Sequence, residues 1–371
     1  MNSIFQRLMH NVTRLVARGD VKAATDAIQA ALAKEATPPA QAAPPPSPPP
    51  PAPAFAAPPS VIVLPDASRD APPSAPAPAP SAAPSPPGPG RVIAGSHGDA
   101  LVRRDFKLFV PAQAGGGPLP LVVMLHGCTQ DADDFAAGTG MNELAREQGF
   151  YVLYPEQARH ANPQRCWNWF KHSHQERGRG EPELIAGMTR SVMEAHAIDP
   201  ARVYVAGLSA GGAMAAIMGE TYPELFAAVG VHSGLAAGAA RDLPSAFGAM
   251  QGRSPVIVPS SPSGIPTIVF HGDADVTVHP DNSGQVIAAS VDKDTVVELA
   301  EGVAAGGRSF TRELHRSANG GPVIAEHWVV HGAPHAWSGG QPDGSYTDPT
   351  GPDASAEMVR FFLTHARQPI R

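Results

Sequence analysis

Cysteine is almost absent from this chain of 371 residues. Cys128 and Cys166 are the only two, too few for a disulfide framework or for an all-cysteine zinc site. They can pair with each other, closing a loop worth roughly 3–4 kcal/mol on the chain-entropy model and implying an oxidising compartment. Equally, they can stand as two reduced buried thiols, and their spacing alone does not choose. Long apolar runs are missing too: no window reaches the about 18 uninterrupted apolar residues that a membrane-spanning helix needs, so none is expected. Charge is sparse at 16% of residues, with a net of -7. Residues 91–371 hold -8 of it, and an acidic main domain argues against nucleic acid as a partner. No HExxH or comparable ligand spacing occurs; His327 and His331 are four apart on a strand, about 13 Å between their Cβ atoms, so no metal and no cofactor are expected.

Proline, by contrast, is abundant and concentrated. Of 42 prolines, 22 lie between Pro38 and Pro89, in a stretch with only three charges, Asp66, Arg69 and Asp70. Residues 36–90 therefore read as a disordered, semi-rigid Pro/Ala-rich linker that cannot bury enough apolar surface to offset chain entropy, interrupted by one apolar island, Ser60 to Leu64. Before it, Ile4, Leu8, Val12, Leu15 and Val16 share a helical stripe, Gly19-Asp20 breaks it, and Val21, Ala24, Ile28 and Leu32 resume it. Residues 1–35 thus form an amphipathic helical hairpin by expectation, suited to packing on itself, dimerising, or docking on a partner or surface. Arg7, His10, Asn11, Arg14 and Arg18 interrupt the stripe, so it does not read as an export signal, which needs 7–15 apolar residues in a row.

From residue 91 onward strands and helices alternate. Phe106 to Val110 has the period of an early, edge-type strand, and Leu119 to Leu125 is an unbroken apolar run suited to a buried parallel strand. Similar runs recur at Phe150 to Tyr154, Val203 to Ala206, Ala227 to Val231, Ile265 to Phe270 and His327 to Val330, with helical segments over 141–148, 183–196, 211–220 and 354–366. Alternation of this kind predicts an α/β domain over 91–371, a mainly parallel sheet with helices on both faces.

The strongest chemical signal is Gly207-Leu208-Ser209-Ala210-Gly211-Gly212, between the strand ending at Ala206 and a helix. This is the context of a nucleophile elbow. Glycines let the backbone turn sharply while Ser209 is presented at a helix N-terminus, where free N–H groups favour developing negative charge. A nucleophilic serine needs a base, and the base an orienting carboxylate. The strand Thr267 to Phe270 runs into His271-Gly272-Asp273-Ala274-Asp275, at a strand end where ligands bind in open α/β sheets; Asp275 is preferred as the acid, with Asp273, which abuts the glycine turn, as the alternative. His335, in the Gly/Pro-rich turn after His327 to Val330, is preferred as the base over His331, and His271 reads as structural. The Ala210 N–H and the Cys128 N–H, in His126-Gly127-Cys128-Thr129-Gln130, are the expected oxyanion donors. Trp167 and Trp337 are the aromatic candidates for a substrate wall.

Taken together, Leu125 to Gln130, Cys166-Trp167-Asn168-Trp169, Asp199 to Val205, Gly207 to Gly212, His271 to Asp275 and Pro334 to Gly340 resemble the esterase family of poly(3-hydroxybutyrate) depolymerases, related to feruloyl and acetylxylan esterases. The resemblance implies an α/β-hydrolase fold, Ser209 as nucleophile, Asp275 as acid, His335 as base, a Cys128–Cys166 disulfide, an ester or polyester substrate, and work in an extracellular or periplasmic compartment, with the cytoplasm as the alternative because residues 1–35 do not read as an export signal. Extracellular polymer degraders of this kind generally carry a signal peptide and a C-terminal substrate-binding domain; 36 residues follow His335 here, and no polymer-anchoring domain is expected among them. The alternatives are a feruloyl/acetylxylan-type or small-ester carboxylesterase, an acyltransferase that passes the acyl group to an alcohol, and a non-catalytic binding protein.

Overall fold

A computed structural model describes residues 88–99, 102–253, 264–292, 294–317 and 321–367. The hairpin expected over 1–35 lies outside these residues, as does the linker over 36–90 except for its last three positions.

Among the described residues ten strands form one sheet: β1 (Arg91–His97), β2 (Arg104–Val110), β3 (Leu119–Leu125), β4 (Tyr151–Pro155), β5 (Ile198–Leu208), β6 (Ala228–His232), β7 (Thr267–Gly272), β8 (Val296–Val303), β9 (Ser309–Arg316) and β10 (Val323–Val330). Their spatial order is β1-β2-β4-β3-β5-β6-β7-β10-β9-β8. The six from β4 through β10 are mutually parallel, and an antiparallel pair flanks them on each side.

The period of two is visible in where side chains go. Along β3, Leu121, Val123 and Leu125 enter one core while Val122 and Met124 enter the other. The first core is closed by α3 (Gly180–Ala195), α4 (Ala210–Thr221) and α6 (Asp281–Ser290), through residues such as Ile185, Met214 and Val286. The second is closed by α1 (Ala132–Thr139), α2 (Met141–Gln148) and α7 (Ala354–Leu363), through Phe135, Met141, Met358 and Phe362. A further helix, α5 (Leu243–Met250), caps itself with Asp242, whose carboxylate accepts the Ser245 N–H at 2.8 Å.

One expectation changes, and two elements the sequence did not announce, β1 and the β8–β9 hairpin, are added. β2 is not an edge strand: β1 covers it in antiparallel register, with Gly95 opposite Phe106. β1 escapes a pattern reading because it is mostly exposed and has no apolar face to announce it. The β8–β9 hairpin is likewise new; Val296, Val297, Leu299 and Val303 are exposed on its outer strand, so its apolar residues do not mark a core.

Candidate active site

The elements of interest converge at the C-terminal edge of the parallel strands. β5 ends at Leu208 and α4 begins at Ala210, leaving Ser209 alone in the turn at φ 58°, ψ -118°. Its N–H donates to the His232 carbonyl at 2.9 Å, and its own carbonyl accepts the Ala213 N–H at 2.9 Å. The flanking glycines have a steric cause. A Cβ on Gly207 would overlap the Gly211 backbone, and one on Gly211 would overlap the carbonyl oxygens of Leu125 and His126. Ala210, as first residue of the helix, has an N–H with no carbonyl four residues back inside it.

His335 and Asp275 meet although 60 residues separate them: His335 Nδ1 lies 2.6 Å from Asp275 Oδ2. The other carboxylate oxygen accepts the Thr277 and Val278 N–H groups at 2.8 and 2.9 Å. His271 Nε2 donates to the Val278 carbonyl at 2.8 Å and sits 3.3 Å from Asp275 Oδ2. Burial alone would raise the Asp275 carboxyl, but the hydrogen bonds from His271 and His335, the charge of His335 and the Val278 N–H outweigh it and hold the group well below the usual carboxylate range. A carboxylate so held selects the imidazole tautomer with hydrogen on Nδ1, leaving the Nε2 lone pair to accept a proton. His271 is buried at the strand end, and among the described residues only one of its ring nitrogens has a partner, Nδ1 having none.

The competing pair is also real. Asp273 binds His331 Nδ1 at 2.9 Å and the Gly332 N–H at 2.6 Å, while His331 Nε2 meets Thr311 Oγ1 at 2.9 Å. This pair is half-exposed, whereas the Asp275 side chain is fully buried. Sequence order does not separate two aspartates two residues apart; in the structure they differ in burial and in partners.

The loop after β3 is organised residue by residue. Gly127 N–H goes to Gln130 Oε1 at 2.9 Å and Thr129 N–H to the Gln164 carbonyl at 2.7 Å; among the described residues the intervening Cys128 N–H has no acceptor. Cys128 and Cys166 form a disulfide, with Cα atoms 4.2 Å apart. Beneath it, His126 donates from Nδ1 to the Gly127 carbonyl at 2.8 Å and accepts the Gln157 N–H on Nε2 at 3.1 Å. Gln157 in turn donates to Glu181 at 2.5 Å, and Glu181 accepts the Asn168 backbone and side-chain N–H groups at 2.6 Å. Desolvation lowers His126 to about 4, despite the opposing Gly127 carbonyl.

His232, at the end of β6, was not singled out by the sequence. It accepts the Ser338 N–H on Nε2 at 2.9 Å and stacks on Trp337 at 5.0 Å. Burial first, then the charges of His271 and His335, lower it to about 3. No local pattern distinguishes this histidine from any other at a strand end. The same holds for Gln157 and Glu181, and for Gln130, which ties its own loop to Ser345.

The two tryptophans expected to wall a substrate cleft are in the core instead. Trp167 is 0% exposed and packs on His126; Trp337 is 1% exposed, wedged between Phe135 and His232, with its indole N–H on Ser355 Oγ at 3.0 Å. Large rings in such a tight end of the molecule are recruited to fill space beneath the loops, which their position beside the motifs does not reveal.

The chain is similar to known esterases and depolymerases. The chain is 35% identical over 233 residues to poly(3-hydroxyalkanoate) depolymerase C of Paucimonas lemoignei, covering 58% of this chain and 55% of that one. It is 31% identical over 216 residues to acetylxylan esterase A of Talaromyces purpureogenus, covering 52% and 56%, and 33% identical over 150 residues to feruloyl esterase B of Thermothelomyces thermophilus, covering 40% and 50%. The chain spans about half the length of these curated relatives. Among solved structures, an acetyl xylan esterase from Aspergillus awamori superposes with a TM-score of 0.56 at 20% identity, over 74% of this chain and 99% of that one, a likeness of fold, the α/β-hydrolase fold. The model of the family described as esterase PHB depolymerase matches residues 104–313, more than half of the sequence, and the chain belongs to that family.

Proposed function

We propose that this protein is a serine-dependent carboxylic ester hydrolase acting on 3-hydroxyalkanoate oligoesters or polyesters through an acyl-enzyme. In this reading His335 takes the hydroxyl proton of Ser209 as the serine oxygen attacks the ester carbonyl, and Asp275 stabilises the imidazolium that forms. The N–H groups of Ala210 and Cys128 receive the oxyanion. The proton then passes from His335 to the departing alcohol, and water, deprotonated by the same ring, releases the acid. The observation that carries the reading is the 2.6 Å contact between buried Asp275 and His335, at the sheet edge where Ser209 stands in a strained strand-to-helix turn. The polyester preference is supported by the similarity to a poly(3-hydroxyalkanoate) depolymerase; the similarities to acetylxylan and feruloyl esterases favour a second reading, a hydrolase of small acetyl or aryl esters. The disulfide supports work in an oxidising, extracellular or periplasmic compartment.

The test is clearing of an amorphous poly(3-hydroxybutyrate) suspension, with Ser209→Ala as the control. Clearing that vanishes with Ser209→Ala is the expected result. Cleavage of a short aryl ester without clearing would select the small-ester reading, and full activity in Ser209→Ala would overturn the serine mechanism.

A further inference from the structure

Five non-glycine residues among those described have left-handed backbone, and four gather on the segments just discussed: Thr129 (φ 69°), Arg165 (φ 54°), Ser209 (φ 58°) and Ser233 (φ 48°). Each abuts the oxyanion loop, the disulfide, the elbow or His232. The fifth, Tyr346 (φ 54°), belongs to none of the roles assigned above. Bulky residues are rare in this conformation, and strain of this kind persists only where the surroundings impose it.

The surroundings are two loops that Tyr346 joins. Its carbonyl accepts the Trp337 N–H at 2.6 Å, two residues beyond His335. Its phenol oxygen lies 3.2 Å from Thr129 Oγ1, and Thr129 donates its own hydroxyl hydrogen to the Cys128 carbonyl at 2.6 Å. The phenol is therefore the donor to Thr129. The preceding residue is held as firmly: Ser345 N–H and Oγ bind Asp134 at 2.8 and 2.5 Å, and Gln130, which also takes the Gly127 N–H, donates to the Ser345 carbonyl at 3.1 Å. So the ring is fixed at its backbone and its hydroxyl, between the base's loop and the oxyanion loop, yet 47% exposed. An aromatic ring anchored at its polar end and open along its apolar body is built for contact with something that is not part of the chain.

We infer that Tyr346, rather than either tryptophan, is the aromatic wall of the ester-binding cleft, and that it contacts the acyl chain attached to the carbonyl held by the oxyanion loop. The inference rests on the esterase reading and adds to it a residue that selects acyl chains longer than acetyl. The phenol hydroxyl is already engaged with Thr129, so the selectivity comes from the ring.

The experiment compares kcat and KM for p-nitrophenyl acetate and p-nitrophenyl hexanoate in wild type, Tyr346→Phe, Tyr346→Asn and Leu299→Ser. Asparagine tolerates left-handed backbone, and Leu299 lies on the exposed outer hairpin strand. Tyr346→Asn should lower kcat/KM for the hexanoate about tenfold through KM and change the acetate less than about twofold, the discrimination expected from a lost apolar contact. Tyr346→Phe and Leu299→Ser should keep the wild-type ratio of the two esters. A folded Tyr346→Asn with an unchanged ratio, or with equal losses in kcat on both esters, overturns the assignment while leaving the esterase reading intact. A wild type inert on both esters overturns that reading and this one together.

Discussion

Asp275 and Asp273 stand two residues apart on one loop and each holds a histidine, yet their environments differ. Asp275 is buried and kept ionised by two ring contacts and two backbone N–H groups, so it can hold an imidazolium in a low-dielectric setting. Asp273 is half-exposed and spends both oxygens on His331 and Gly332, which steadies the loop that leads to His335. Asp275→Asn should therefore lower kcat on an aryl ester by about 10³–10⁴-fold, the loss expected when the base is left in the wrong tautomer. Asp273→Asn should lower it by less than about tenfold, in keeping with a positioning role, because orientation errors cost rate without removing the chemistry. The reverse ranking would move the acid to Asp273. At the elbow, Gly211→Ala sets a methyl against two backbone carbonyls that have nowhere to retreat. Overpacking of this kind should cost about 3 kcal/mol in urea denaturation.

At the scale of elements, the disulfide and the β8–β9 hairpin behave oppositely. Cys128–Cys166 links the loop after β3 to the segment beside Trp167 across 38 positions of sequence, and it does so at the residue whose N–H is proposed to receive the oxyanion. Replacing both cysteines by serine should lower stability by roughly 4 kcal/mol on the chain-entropy model, read from denaturant midpoints. Activity at temperatures where the variant stays folded should fall as well, since Cys128 loses its tether. The outer strand of the hairpin, by contrast, carries apolar side chains that stay largely exposed. Single polar substitutions there, such as Val303→Thr, should stay within about 0.5 kcal/mol of wild type.

For the molecule as a whole, pH reports how deeply the histidines are buried. His126 and His232 are held neutral at about 4 and about 3, below the ordinary value of about 6.5 in an unfolded chain. Above pH 6.5 both states are neutral at these sites and native stability is complete. As pH falls from there toward 4 and then 3, the unfolded chain takes up protons that the folded one refuses, and stability is lost at about 1.4 kcal/mol per unit of depression. Asp275 and Glu181, both lowered in the fold, add a separate loss only below the ordinary carboxylate value of about 4. Urea titrations between pH 8 and 4 should show the histidine loss, and His126→Gln, which removes one titrating ring, should flatten the curve between pH 6.5 and 4. A stability profile flat through that range would contradict the buried, neutral assignment.

Sequence by itself determined the alternation of strands and helices, the elbow at Ser209 and the neighbourhood of its partners. Those depend on short-range causes: a period of two along buried strands, the glycines a sharp turn requires, and acidic and basic residues at strand ends. Only the tertiary structure decided what depends on distant segments meeting. It put β1 outside β2, buried one Asp–His pair and left the other half-exposed, buried Trp167 and Trp337, and brought Tyr346 to Thr129 across 217 positions of sequence. A side chain's surroundings are set by packing, and packing at the end of this sheet is made by loops whose order in the chain says little about which of them touch.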